Sequence, residues 1–371
     1  MKMKLSCPCM FGLEGVLGDE ARRLGFGNVA VTDGRVAFDG DFADLARANI
    51  QLRTAERVQI ILGTFSAHSF EDLFQGVKAI QWENFIGKKD AFPVKGWSLN
   101  SKLHSVPDCQ SIIKKAVVTR LSQVYHQSWF EETGALHQIQ FSIMKDMVTV
   151  MLDTSGPGLH KRGYRRNSNL APIKETLAAG IVQLSRLRKD ANVIDPFCGS
   201  GTFLIEAALV AMNIAPGINR RFDCERWGVV PQSVWKEARQ EALSAIDKQA
   251  GFHGFGYDID DAAVELTMDN AKKAGVSPRI RVEKRDIRSF ATDLESAVIY
   301  CNPPYGERML EVKEAREIYH TMGKVFEHRK YLKYYIISPD EDFERIFGRK
   351  ADKRRKLYNG MLKCQLYMYF K

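Results

Sequence analysis

The chain has 371 residues, 54 of them Lys or Arg against 45 Asp or Glu, for a formal net charge of +9. That length holds two or three domains, and a hydrophobic share of 45% is ordinary for a packed core, which excludes a disordered or fibrous chain. No apolar run approaches the roughly 20 residues needed to span a bilayer, no signal-peptide pattern opens the chain, and seven scattered cysteines, an odd number, point to reduced thiols in the cytoplasm. The basic balance favours a polyanionic partner.

Residues 4–9 read as a strand. Cys7-Pro8-Cys9 within it has neither the spacing nor the second pair of a zinc knuckle. Leu13, Val16, Leu17, Ala21 and Leu24 keep helical spacing, stopped by Gly25, and Asp33-Gly34 between two short apolar runs signals a hairpin. A helix over 42–49 and a strand over 57–63 complete a β-α-β-β-α-β order, a small ferredoxin-like unit over 1–64. Residues 65–155 form a second mixed unit, with helices over 70–80 and 109–125 and strands over 94–99, 137–143 and 147–152. Neither unit holds a catalytic constellation, which assigns both to binding.

A linker over 156–169 opens on Gly156-Pro157-Gly158 and gathers Lys161, Arg162, Arg165 and Arg166 around Tyr164, a pattern suited to phosphate contact. A helix from 169, with Pro172 in its first turn and Ile173, Leu177, Ile181 and Leu184 on its buried face, leads into the domain over 170–371.

That domain is organised around Val193-Ile194-Asp195-Pro196-Phe197-Cys198-Gly199-Ser200-Gly201-Thr202-Phe203-Leu204. A short apolar run ends in an acid, turns on two glycines and enters a helix, the pattern of a buried parallel strand followed by a ligand-binding turn. Gly199 and Gly201 leave backbone amides bare, and the helix from Thr202 points its positive end into the same space. A dinucleotide fingerprint needs glycine where Leu204 stands, and a phosphate loop needs a lysine that is absent. A zwitterionic ligand without phosphate remains, and S-adenosyl-L-methionine fits.

An insertion over 213–230 and a helix over 233–249 follow, then strands over 254–257, 280–283 and 298–301 and a helix over 312–327. Asp258 takes the position that hydrogen-bonds a ribose diol, Ile259 can pack on an adenine face, and Asp286 with Ile287 can receive the adenine amine. Asn302-Pro303-Pro304-Tyr305 ends the last of those three strands. The prolines stiffen the backbone, so the Asn302 amide and the Pro303 carbonyl become two fixed acceptors for an exocyclic amine, and Tyr305 offers a stacking face for a base out of its helix. No metal is required, because a sulfonium methyl is already activated. A strand over 334–338 follows. The run 349–356 carries six basic residues in eight and reads, through Arg354 and Arg355, as phosphate contact. Alternation over 362–370 predicts an antiparallel closing strand with one solvated face.

Taken together, these motifs resemble the class I amino-methyltransferases, and more closely the THUMP-domain rRNA guanine-N2 methyltransferases, whose members are often labelled N6-adenine-specific DNA methylases. The likeness extends through Leu159-His160-Lys161-Arg162-Gly163-Tyr164-Arg165, Ala171-Pro172-Ile173-Lys174-Glu175, Asn302-Pro303-Pro304-Tyr305-Gly306-Glu307-Arg308 and Tyr358-Asn359-Gly360. It implies an α/β fold: a doubly wound, Rossmann-like methyltransferase domain over 170–371 behind α+β ferredoxin-like (1–64) and THUMP (65–155) domains. It implies S-adenosyl-L-methionine bound by Asp195, Phe197, Cys198, Gly199, Gly201, Thr202, Asp258, Ile259, Asp286, Ile287 and Asn302, with Asn302, Pro303 and Tyr305 catalytic. The implied substrate is a guanine N2 in 23S rRNA. A tRNA guanine N2 and a DNA adenine N6 stay open, because both are exocyclic amines that the same motif serves.

Overall fold

The computed structural model describes residues 1–165, 173–306 and 309–370. The chain divides into two compact units, and neither is one continuous stretch. The first comprises Met1–Pro8, Gly18–Leu159 and Arg220–Glu241; the second comprises Cys9–Leu17, His160–Asn219 and Ala242–Lys371.

In chain order the first unit holds β1 (Met3–Pro8), most of α1 (Glu14–Arg23), β2 (Gly27–Thr32), β3 (Arg35–Gly40), α2 (Phe42–Gln51) and β4 (Gln59–Ser66). It continues through α3 (Phe70–Lys78), β5 (Val94–Leu99), α4 (Val106–Tyr125), β6 (Gln138–Met144) and β7 (Met147–Asp153). Among the described residues its strands make one seven-stranded sheet in the order β2-β3-β1-β4-β7-β6-β5. The ferredoxin-like order is present in the first four, but they do not form a separate sheet. β4 pairs with β1 on one side and β7 on the other, so the expected boundary at 64/65 falls inside a strand.

Helix starts follow the local chemistry. Asp41 caps α2 and Ser69 caps α3, each in a reciprocal capping box with an acid three residues on.

The stretch Arg220–Glu241 completes this unit from far along the chain. Trp227 is buried, stacks on His137 at 4.3 Å and donates its indole N–H to the Leu136 carbonyl at 2.8 Å. Arg220 holds the Pro157 and Gly158 carbonyls at 2.6 and 2.9 Å. What the sequence presents as an insertion is part of this core.

The second unit contains α5 (Glu175–Leu184), β8 (Asn192–Asp195), α6 (Thr202–Ala211), the end of α7 (Gln232–Ser244), β9 (His253–Asp258), α8 (Asp261–Lys273) and β10 (Ile280–Lys284). It closes with β11 (Ala297–Cys301), α9 (Met309–Val325), β12 (Leu332–Ser338), α10 (Phe343–Phe347), β13 (Lys353–Asn359) and β14 (Leu362–Tyr369). The sheet order β10-β9-β8-β11-β12-β14-β13 is parallel through β12, with β14 running antiparallel between β12 and β13. This is a doubly wound sheet whose strand order reverses between β8 and β11, the place where such folds bind ligands. α6 is apolar nearly all round and correspondingly buried. Leu13, fully buried, plugs this core where Gly180 lacks a side chain: a Cβ on Gly180 would stand 2.5 Å from Leu13.

Three expectations are corrected. The helix before the organising strand begins at Glu175; Ile173 is buried ahead of it, and the start expected at 169 lies outside the described residues. The helix expected over 233–249 ends at Ser244. The closing strand has no solvated face over most of its length. Tyr367 and Tyr369 are buried, with their hydroxyls donated to the Asp340 and Arg349 carbonyls, so both faces of β14 are covered. Among the described residues no helix is long and apolar enough to cross a membrane.

Candidate active site

Asp195, Asp258 and Asn302 stand at the carboxyl ends of β8, β9 and β11, with Asp286 just past β10, around a cleft of about 1170 Å³ within the second unit. The walls also include Phe197, Cys198, Gly199, Thr202, Ile259, Ile287, Pro303 and Tyr305. Every residue expected to hold the cofactor reaches this cleft except Gly201, whose part is to let helices close. A Cβ there would meet the Thr267 methyl at 2.7 Å. At Gly199 the situation is the reverse: φ is +53°, and the nearest atom to a Cβ at that position would be the Phe197 carbonyl oxygen at 3.9 Å. The turn is therefore bare on its cleft side, as a closely approaching ligand requires.

The turn is held rigid from behind. Asp258 accepts from the Gly199 amide at 2.9 Å and from the Asp260 amide at 3.1 Å. Asp260 caps α8 by accepting from Ala262. Two further residues of α8 grip the loop, Thr267 donating to the Gly199 carbonyl (2.9 Å) and Asn270 to the Ser200 carbonyl (3.0 Å). The sequence reading missed both. Their signal was two polar side chains on the face of a helix where Ala263 and Ala271 mark burial.

Asp195 is buried, and burial pushes its carboxyl up to about 8; the Phe197 amide pulls the other way and the Asp258 charge adds to the rise. A carboxyl so placed is poised to become charged when a cation arrives beside it. Asp286 caps the short turn after β10 through the Arg288 amide at 2.8 Å and pairs with the Arg288 guanidinium. Ile259 is 63% exposed, an apolar side chain at the cleft with nothing on it. Finally, the Asn302 Oδ1 is buried and accepts no hydrogen bond among the described residues. Buried acceptors are rarely left so, and Asn302 lines the cleft, where such an acceptor is available to a ligand. The bare amides expected at Gly199 and Gly201 are corrected, since Gly199 donates to Asp258 and Gly201 to the Cys198 carbonyl at 2.7 Å. A turn without side chains toward the cleft, carboxylate acceptors, an apolar face and a waiting amide oxygen together suit a nucleoside-bearing cation.

Comparison with known proteins agrees with this geometry. Residues 162–368 match the family described as RMKL-like, methyltransferase domain. The chain belongs to this family. Upstream, residues 4–59 match the RlmL ferredoxin-like domain and 67–153 the THUMP domain. A relative in Bacillus subtilis, named "Putative RNA methyltransferase YpsC", is 43% identical over all of this chain and 96% of its own. The ribosomal RNA large subunit methyltransferase K/L of Shewanella baltica is 32% identical over 96% of this chain, which spans about half (52%) of that protein. Two solved structures overlay closely. One, described as a "predicted N6-adenine-specific DNA methylase" from Listeria monocytogenes, has a TM-score of 0.95 at 44% identity and covers 100% of this chain and 96% of its own. The other, described as "SMU.472, a putative methyltransferase complexed with SAH", gives 0.94 at 42%, covering 100% and 98%. This RMKL-like chain is an S-adenosyl-L-methionine-dependent methyltransferase.

The basic residues expected to touch nucleic acid fare differently from the cofactor set. Arg162 is corrected: it is buried and paired with the fully buried Glu206 (3.3 Å), which also accepts from the Tyr164 hydroxyl at 3.0 Å. Arg165 is corrected likewise. Its guanidinium is spent on Glu175 (2.7 Å), the Ile173 carbonyl and the Thr202 hydroxyl, inside the protein. Lys161 is exposed, and Arg166 lies outside the described residues. Arg354 makes a two-pronged pair with Glu344, and Arg355 donates to the Gly12 carbonyl at 3.1 Å, so part of this run braces its own unit.

Proposed function

We propose that the chain methylates the exocyclic N2 of a guanine in 23S rRNA, in the cytoplasm. The observation that carries the reading is the buried, unpartnered Asn302 Oδ1 in a cofactor cleft, next to Tyr305. An amine with two N–H donors matches a pair of acceptors, the Asn302 amide oxygen and the Pro303 carbonyl. Holding both protons would turn the nitrogen lone pair toward the methyl donor. Bound S-adenosyl-L-methionine supplies the electrophilic methyl group. Asp258 would hold its ribose, Ile259 and Ile287 its adenine faces, Asp286 the adenine amine, and Phe197 to Thr202 the turn around it. Tyr305 would stack the base. RNA as substrate is supported by the charge of +9, by the THUMP match and by the names of the Bacillus and Shewanella relatives. Lys161 and Arg354, both exposed, are the proposed phosphate contacts of the set. The cytoplasmic assignment is supported by seven buried cysteines, none of them joined in a disulfide.

The decisive experiment is nucleoside analysis of rRNA, tRNA and DNA from a strain lacking the gene. Loss of one N2-methylguanosine from 23S rRNA is expected. Loss of the same nucleoside from tRNA alone moves the substrate to tRNA, and loss of N6-methyladenine from DNA overturns the reading.

The ribose role is testable alone. Asp258→Ala is expected to weaken cofactor binding by roughly 1.5–3 kcal/mol, the range for a hydrogen bond to a charged group. Isothermal calorimetry giving wild-type affinity would remove Asp258 from the cofactor set.

A further inference from the structure

We propose that Asn359, at the tip of the C-terminal hairpin, is a positioning residue of the methyl-transfer site: its side-chain amide anchors the Tyr305 hydroxyl and so fixes the stacking ring. The inference rests on reading that site as one that methylates a base. Tyr358-Asn359-Gly360 stands far from the methyltransferase motifs in sequence, and nothing in the chemistry above uses it. The fold brings it there. β13 and β14 pair from Lys353–Met368 to Asn359–Leu362, leaving only Gly360 and Met361 to make the turn. Gly360 takes φ +65°, which a tight hairpin of this length demands. So short a turn leaves Asn359 little freedom.

From that place the Asn359 Nδ2 donates to the Tyr305 hydroxyl at 2.6 Å. A phenol oxygen accepts such a bond without giving up its own proton. An anchor at the hydroxyl fixes the long axis of the ring, and with it the χ1 rotamer, before any base arrives. One hydroxyl, held from the hairpin, thus orients the stacking surface beside Asn302 in the same cleft. The hairpin is itself braced within its unit, by Arg355 on the Gly12 carbonyl and by Phe11 edge-on to Tyr358 at 6.4 Å.

The test is a double-mutant cycle of Asn359→Ala and Tyr305→Phe. Single-turnover methyl transfer is measured at saturating cofactor, on 23S rRNA isolated from the deletion strain. Each single variant is expected to slow transfer about tenfold with cofactor affinity unchanged, and the double variant to be no slower than either. Losses that multiply in the double variant, or a wild-type rate for Asn359→Ala, overturn the proposal. A second measurement needs no RNA. With 13C-labelled tyrosine, the Tyr305 Cζ resonance, assigned by its loss in Tyr305→Phe, is expected to move in Asn359→Ala; an unmoved resonance in a folded, cofactor-binding variant overturns the contact. If the resonance moves but the wild-type enzyme leaves this RNA unmethylated, the guanine reading falls and the contact stands.

Discussion

Asn302→Ala is expected to lower the rate of methyl transfer by on the order of 10²–10³, the usual loss when one preorganised group at the reacting atom is removed. Fold and affinities should survive. Asn302 sits just past the end of β11 and contributes nothing to the sheet, so its truncation opens no cavity in the core. The cofactor cradle rests mainly on Asp195, Asp258, Asp286 and the glycine turn, and RNA would be held elsewhere. What is lost is one acceptor already buried and unpartnered at this strand end before the base arrives. Single-turnover transfer at saturating cofactor, alongside calorimetric cofactor binding, checks the separation. A rate near wild type would mean that the chemistry happens at another strand end. A matching loss of cofactor affinity would recast Asn302 as a binding residue.

The second large effect concerns stability. Glu206 has no exposed surface and faces Arg162, itself buried, together with the Tyr164 hydroxyl. Removing one member strands the other's charge in the core. Glu206→Ala is expected to cost about 3–5 kcal/mol of unfolding free energy, the range for breaking a buried pair. Replacing both charges with apolar side chains of similar size, as in Arg162→Met with Glu206→Leu, should recover most of the loss, because no orphan charge remains. Urea unfolding of the two variants decides it. Equal destabilisation by the single and double variants would show that packing rather than charge is the cost. Arg165 ties the same region to Thr202 at the start of α6, so cofactor affinity is a useful companion measurement.

Much of the second unit was legible because its signals are local. A strand, a bare turn and a helix entrance lie within one short stretch, residues 193–204, and the acids at successive strand ends need only the rule for where open sheets bind ligands. The ferredoxin-like order was legible for the same reason. What escaped depends on distant partners. Arg162 stands between Lys161 and Arg165 in a run that reads as solvated, and only Glu206, 44 residues on, makes it a core residue. β13 escaped because its basic residues hide any alternation; it is an edge strand, where charge discourages pairing with strangers. Tyr367 and Tyr369 were read as a polar face, yet a tyrosine can be buried if its hydroxyl finds a carbonyl, as both do. The role of Arg220–Glu241 could not be seen locally at all, since its partners Leu136, His137 and Gly158 come long before it.

The reciprocal trade of chain segments also limits how such a protein can be cut. A gene fragment stopping near residue 159 would encode the first unit without Arg220–Glu241, leaving His137 without its stacked Trp227. The complementary fragment would lack Leu13, and the space beside Gly180 would gape. No single crossover yields two whole parts, so exchanging the first unit whole takes junctions at 8/9, 17/18, 159/160, 219/220 and 241/242.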